Sequence, residues 1–391
     1  MSYPDSRSPR RLLRAPALAF FSLALMLSSC PHYKYNTPPP TGSVNFIYTA
    51  NAAANSGTAA LISNATTGAL TTITGSPFPA GGSSFALTAD PGGKFLYVAN
   101  YASGDISEFS INQTTGALTQ LSSSPVPAEI GVDALAIDPL GRFLYAVSER
   151  SANLYQYSID SSGALHPLAS SPVLISAGSA VSRAVAISPS GNFLFVTNED
   201  STTDNLYVFP RDLVAGTLSP PLAPLAIDSG AHAITADPAG RFVLVASSGS
   251  STLFGNLSVF TYNSATGMLT ALPSSPFHTG ADPSSVAVDP SSKFVYTANT
   301  ASSTISAFLI SSNTLTEIGG SPFPGGGLGT PNGPTGIATD PSGRFVYACN
   351  ASNDISAFLL NAQTGALTQI AGSPFPSGAS GPHGITVVMR K

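Results

Sequence analysis

Residues 90–118 read DPGGKFLYVANYASGDISEFSINQTTGAL, and the phrases at both ends of this stretch return along the whole chain. The first consists of Asp-Pro, small residues, a basic or polar residue, Phe and a β-rich run. It recurs as DPLGRFLYAVS from Asp138, SPSGNFLFVTN from Ser188, DPAGRFVLVAS from Asp237, DPSSKFVYTAN from Asp289 and DPSGRFVYACN from Asp340, at spacings of 48, 50, 49, 52 and 51 residues. The second is TTGAL at 66–70 and 114–118, SSGAL at 161–165, VAGTL at 214–218, ATGML at 265–269, SNTL at 312–315 and QTGAL at 363–367. Self-similarity at about 50 residues predicts a propeller or a solenoid.

Six complete copies of the first phrase stand against seven of the second, and the missing copy is divided between the two ends of the chain. NFIYTAN at 45–51 is the second half of the unit without its Asp-Pro, and PHGITVV at 382–388 matches the run that precedes Asp-Pro elsewhere, as in PSSVAVD at 283–289. An open solenoid needs polar caps at its ends rather than complementary half-units, so the divided copy predicts a closed ring.

Within one unit the pattern predicts four short strands. An apolar run such as 285–288 leads through Asp-Pro-x-Gly, a turn favoured by the preset φ of Pro and the turn chemistry of Asp, into a second run such as 294–298. A third follows at 304–310, and the Thr-Gly-Ala-Leu turn leads into a fourth, with Ser-Pro-Phe-Pro often closing the unit. No stretch sustains a 3.6-residue apolar period, so helices should be nearly absent. The expected fold is all-β: a seven-bladed propeller with four antiparallel strands per blade, one blade closed by the N- and C-terminal strands.

This propeller absorbs residues 44–391 and leaves no room for a second domain. Charged residues make up 9% of the chain against 43% hydrophobic, and Trp is absent, so the cores between blades should be built from Phe, Tyr, Val, Leu and Ile. Residues 1–29 read as a lipoprotein signal peptide: Arg7, Arg10, Arg11 and Arg14, an apolar run at 15–27 too short for a comfortable membrane span, then Leu27-Ser28-Ser29-Cys30. The last four residues resemble a bacterial lipobox, with Cys30 as the lipid-bearing residue. Arg10-Arg11 fits a twin-arginine export signal poorly. Residues 30–43, with Pro38-Pro39-Pro40, read as a tether. The expected location is outside the cytoplasm, held to a bacterial membrane, periplasmic or surface-exposed, through the lipid alone.

Without residues 1–29 the chain keeps eleven basic and nineteen acidic residues, a formal charge of −8, and no basic cluster, so nucleic acid is not an expected partner. A monomer is expected. Cys349 has no partner for a disulfide once Cys30 is acylated, and it stands where other copies have Ala or Val, so it reads as a small buried hydrophobe.

The repeated turns share one face, and their sameness suits scaffolding. On the other face the copies differ. Six residues before the Pro of each Asp-Pro, or its equivalent, lies one position per blade at the mouth of the channel: Phe85, Asp133, Arg183, His232, Ser284, Thr335 and His383. Just past the second strand lie Ala52, Tyr101, Glu149, Glu199, Ser248, Thr300 and Ala351. The ionisable members crowd onto neighbouring blades. Arg183, Glu199, His232 and Asp133 are candidate catalytic residues, with Glu149 and His383 as candidate ligand contacts: Arg can hold a carboxylate or a lactone carbonyl, and Glu or His can position a water. The bland alternative is a solvated ion network.

Other constellations are weaker. Asp200 and Asp204 in the segment 198–205 lack the ligand order of an EF-hand, and His166 and His278 have no metal-ligand spacing. No GxSxG, Walker loop or zinc-type Cys pair is present, and neither metal nor cofactor is expected.

The units DPxG[RK]F[LV]Y, with strand ends such as YVAN at 97–100, resemble the lactonase family of seven-bladed propellers, which includes propeller-type 6-phosphogluconolactonases and shades into YVTN-repeat surface proteins. The segment SRAVAISPSGNFLFVTNE at 182–199 resembles that family's site segment, and the resemblance puts Arg183 and Glu199 on its Arg and Glu. It departs at Ala184 and Asp133, where the family has His, and at Thr300, where an Arg often stands. Whether the chain is an enzyme is left open by this partial match. The first expectation is a lipid-anchored binding module that uses the variable face for a small molecule, a glycan or an envelope protein. The alternative is a hydrolase of a sugar lactone or related cyclic ester.

Overall fold

A computed structural model describes residues 43–390 apart from 55–56, 177–180, 200–203, 250, 252, 313 and 327–332. The signal peptide, Cys30 and nearly all of the tether lie outside the described residues. The chain forms seven antiparallel sheets, each four strands wide, and no helix occurs among the described residues. Blades are numbered here by their innermost strands: Ser84–Ala89 (blade 1), Val132–Ile137 (blade 2), Val181–Ile187 (blade 3), Ala231–Ala236 (blade 4), Pro283–Val288 (blade 5), Pro334–Thr339 (blade 6) and Pro382–Met389 (blade 7). These strands neighbour one another in that order, and blade 7 returns to blade 1, so the ring is closed.

Closure works as the divided repeat predicts. Asn45–Asn51 pairs antiparallel with Pro382–Met389, with Phe46 opposite Val388 and Tyr48 opposite Thr386, so blade 7 is completed by both ends of the chain. The outermost strand is broken more often than the sequence suggests. In blade 1, Leu118–Gln120 pairs with one end of Asp105–Ile111 and Val126–Pro127 with the other, the Ser-Pro segment forming the break. Blade 3 departs further: its turn is followed by a single bridge between Arg211 and Leu218, and its fourth strand forms only at Leu225–Ile227. Pro220, Pro221 and Pro224 lie between and remove ladder donors.

The second strand of each blade is flanked by a sheet on both faces, which explains its unbroken apolar run. Phe143–Ser148, Phe242–Ser247 and Phe294–Asn299 are buried at every residue. Its first residues also reach the next blade. In six of the seven turns of the Thr-Gly-Ala-Leu type, the glycine has positive φ and sits against a Phe ring of the preceding blade: Gly116 on Phe46, Gly163 on Phe95, Gly216 on Phe143, Gly267 on Phe193, Gly365 on Phe294 and Gly68 on Phe345. In five of these six, two residues beyond that Phe, a buried tyrosine donates to the carbonyl of the same glycine, while for Gly267 that place is taken by Phe195. Tyr48 reaches Gly116 at 2.8 Å, Tyr97 reaches Gly163 at 2.8 Å, Tyr296 reaches Gly365 at 2.8 Å and Tyr347 reaches Gly68 at 3.3 Å. Each such bond contributes about 1 kcal/mol net, and each buried ring about 1.5–3 kcal/mol.

The Asp of Asp-Pro holds the base of the same arrangement. Asp340 is fully buried, and its Oδ1 accepts from the backbone N–H groups of Arg344 at 2.7 Å and Phe345 at 2.8 Å. These bonds fix where the second strand begins, and hence where the Phe and Tyr point.

Replacing Gly68 by Ala tests this seam. An added Cβ would lie 2.6 Å from Cδ1 of Phe345 and of Ile370, at φ +74°. We expect a loss of about 2–5 kcal/mol from left-handed strain and overpacking together. The midpoint of urea unfolding reads this, and an unshifted midpoint would refute the role given to the glycine.

Candidate active site

Every innermost strand carries a β-bulge at the same place. The pairing register skips one residue in each blade: Phe85, Asp133, Arg183, His232, Ser284, Thr335 and His383. These are the positions counted from the sequence as the channel-mouth series. A bulge leaves the extra residue unpaired and re-aims its side chain, which frees it for other work. Around half of the ring the bulged residues bond to the backbone of the next bulge. Ser284 Oγ lies 3.1 Å from Thr335 O, Thr335 Oγ1 donates to Pro382 O at 2.7 Å, and His383 Nδ1 lies 3.3 Å from Phe85 O.

The charged residues converge on Arg183. Its Nη1 lies 2.9 Å from Glu149 Oε2 of blade 2, and its Nε lies 2.9 Å from Glu199 Oε2 at the end of its own hairpin. The three side chains remain 28%, 29% and 36% exposed, so the cluster faces the mouth rather than the core. Burial opposes the guanidinium charge, but the hydrogen bond to Glu199 and the charges of Glu149 and Glu199 outweigh it and hold Arg183 above its ordinary range.

Asp133 stands beside this cluster. Burial raises its carboxyl well above the usual carboxylate range, and Glu149 raises it further while Arg183 pulls the other way. Its Oδ1 is buried without a hydrogen-bond partner. A raised value favours the protonated carboxyl, the form that can donate a proton.

His383 closes the other side. Burial lowers the imidazole below its ordinary value, and His232 nearby lowers it further, while the Phe85 carbonyl and Glu149 act to raise it. Because a carbonyl can only accept, the contact with Phe85 O puts the proton on Nδ1 and leaves Nε2 as the basic nitrogen. The ring packs at 4.5 Å on Phe85, which stacks at 4.7 Å on Tyr101, and the Arg150 guanidinium lies over Tyr101 at 5.6 Å. His232 is exposed.

The structure therefore brings Arg183, Glu199, Glu149 and Asp133 into one cluster and sets His383 against Phe85, with His232 close enough to influence its charge. Phe85 and Tyr101 belong to the two position series, but their stacking and the part of Arg150 were not legible in the sequence. Cys349 is fully buried and its thiol is pushed up to about 11 by burial. Asp204 accepts from Gly230 N at 2.7 Å, which ties the start of its strand to the neighbouring blade, and Asp200 lies outside the described residues. His166 pairs with Asp160 at 3.0 Å and His278 meets Asn256 at 3.2 Å, both exposed. Among the described residues, no group of three His, Cys, Asp or Glu side chains is arranged to hold a metal.

The family profile described as "Lactonase, 7-bladed beta-propeller" matches residues 41–129, 124–229 and 226–383. Among solved structures, a candidate 6-phosphogluconolactonase from Bacteroides uniformis is similar with a TM-score of 0.71 at 21% identity, covering 89% of this chain and 100% of that one. A second candidate 6-phosphogluconolactonase, from Bacteroides fragilis, has a TM-score of 0.68 at 20% identity, covering 90% and 100%. The periplasmic gluconolactonase of Pseudomonas aeruginosa has a TM-score of 0.68 at 17% identity, covering 88% and 99%. At these identities the likeness shows the fold. No curated protein matches the chain in sequence.

The raised carboxyl of Asp133 makes stability depend on pH. Its folded value lies above its unfolded one, so its favourable contribution is complete below the unfolded value and is lost as pH rises through the folded value. Asp133→Asn removes that loss. We expect its urea midpoint, relative to wild type, to be higher at about pH 8 than at about pH 4. An equal difference at both would show that Asp133 is not displaced.

Proposed function

The chain belongs to the lactonase family of seven-bladed β-propellers, and on that premise we propose that it hydrolyses a sugar lactone or a related cyclic ester at the mouth of the ring. The observation that carries this reading is the Arg183 guanidinium held between Glu149 and Glu199 beside the protonation-prone Asp133. Family membership and the lactonase descriptions of similar structures favour hydrolysis over a purely binding role for the same face.

Arg183 has five N–H donors, and the two flanking carboxylates engage two of them. The remaining donors would meet the lactone carbonyl oxygen, where negative charge develops as water adds. We assign the base to His383 rather than Glu199, because Glu199 is bound to the guanidinium while His383 keeps Nε2 basic. Water forms the new C–O bond as its proton passes to His383 Nε2. The ring C–O bond then breaks, and the leaving alkoxide takes a proton from Asp133, giving the open hydroxy acid. Glu149 and Glu199 keep the guanidinium oriented, and exposed His232 assists at the rim.

We also infer that the protein is exported and held to the membrane by lipid on Cys30, with residues 30–43 as its tether. The basic, apolar and small-residue sequence of residues 1–29 supports this.

On a panel of unphosphorylated and phosphorylated aldonolactones, wild type should accelerate ring opening, and Arg183→Ala should lower kcat/KM by about 10²–10³, as for loss of an oxyanion donor. No acceleration by wild type sinks the hydrolase reading, and equal rates in the variant sink the proposed site. For the anchor, Cys30→Ser should move the protein from the membrane to the soluble fraction, and unchanged membrane retention would refute it.

A further inference from the structure

At the mouth end of blades 1 and 5 the same polar network ties the second strand to the third. Asn100 Nδ2 donates to Asp105 Oδ1 at 2.6 Å and Ser107 Oγ at 2.8 Å, and Asn299 Nδ2 donates to Thr304 Oγ1 at 3.1 Å and Ser306 Oγ at 2.9 Å. A glycine packs against each amide. Gly81 N donates to Ser107 Oγ at 3.3 Å and Gly280 N to Ser306 Oγ at 3.1 Å. An added Cβ would lie 2.5 Å from Asn100 Nδ2 and 2.7 Å from Asn299 Nδ2, so a side chain there must displace the amide.

Blade 2 replaces the network as a unit. Gly81 stands four residues before the bulged Phe85 and Gly280 four before Ser284, and the same count back from Asp133 gives Glu129. Ser148 occupies the place of the Asn, and Asn153 and Tyr155 occupy the places of its two partners. Ser148 Oγ turns to Ile130 O at 3.2 Å, and the Glu129 carboxylate bonds the third strand in place of the amide, as an acceptor. Its Oε2 accepts from Ser151 Oγ at 2.6 Å, Tyr155 OH at 3.0 Å and Asn153 Nδ2 at 3.3 Å.

The loop held in this way serves the Arg183 cluster. Ser151 gives its hydroxyl to Glu129 while its carbonyl accepts from the N–H of Ser182, the neighbour of Arg183, at 3.3 Å. Glu149 N donates to Gly131 O at 2.9 Å, and Glu149 Oε2 meets Arg183 Nη1 at 2.9 Å. Resting on the lactone-hydrolase reading for its catalytic consequence, we propose that Glu129 is a positioning residue: it fixes the loop at 148–153 and, through Glu149 and Ser151, aims the Arg183 guanidinium at the reacting carbonyl. A misaimed guanidinium loses more contact with the developing oxyanion than with the neutral lactone, so the loss falls on kcat rather than KM.

The test uses the full chain and the aldonolactone that wild type opens fastest. Glu129→Ala should lower kcat by about 10- to 100-fold, as for a misplaced catalytic group, with KM within about twofold. Glu129→Gln, which keeps an acceptor oxygen, should recover most of the rate, and Tyr155→Phe, which deletes one donor, should give a smaller loss that again falls on kcat. Added to Glu149→Gln, Glu129→Ala should slow the reaction little further, because the two act in series. Unchanged kcat in Glu129→Ala and Tyr155→Phe, or effects that multiply in the double variant, overturn this proposal and leave the hydrolase reading standing. If wild type opens no lactone, the hydrolase reading falls, and the Arg183 Nε–H resonance in NMR spectra decides the positioning role: a shifted or broadened signal in Glu129→Ala supports it, and an unchanged one overturns it.

Discussion

The contact on which the ring depends is the seat of a Phe ring and a Tyr hydroxyl on the glycine of the next blade's turn. Only a residue without a Cβ fits there, because the backbone has positive φ and the aromatic ring occupies the space a side chain would need. The turn, the Phe and the Tyr therefore constrain one another across blades, and the buried Asp before Pro fixes where the strand that carries them begins. Their repetition follows from sevenfold packing geometry. A face built under that constraint has little freedom to vary, which leaves chemistry to the opposite face.

On that face the bulges do the corresponding work. Seven equivalent bulges free seven side chains from the ladder without disturbing the strands behind them, so residue type can change from blade to blade at little structural expense. The result is an asymmetric rim. Blades 2 and 3 supply the Arg183 cluster with Asp133, blades 7 and 1 supply His383, Phe85 and Tyr101, and blades 5 and 6 supply hydroxyls. Most of the described Lys and Arg side chains serve the scaffold turns, whereas Arg183 at the mouth is paired with Glu149 and Glu199.

Much of the frame was legible because it is written in local terms. Asp-Pro-x-Gly and Thr-Gly-Ala-Leu specify turns through backbone preference, the runs between them specify strands, and the copy divided between 45–51 and 382–388 specifies closure. The broken outer strands and the displaced fourth strand of blade 3 were less legible, because they depend on where Pro withholds a donor from a ladder already in place. At the site, counting residues located the ring of seven positions but not the bulge that creates it, nor the stacking of Phe85, Tyr101 and His383, whose members lie up to 298 residues apart.

The sequence by itself determined the number of blades, the seam that closes them and the face on which variation is permitted, since each rests on residue types that a turn or a close approach demands. Tertiary structure alone decided which charges meet. Glu149 is 34 positions from Arg183 in the chain yet 2.9 Å from it in space. The displaced protonation of Asp133 and the proton position on His383 arise from burial and from neighbours on other blades. Electrostatic interaction depends on distance and on exclusion of water, and neither exists until the ring has closed.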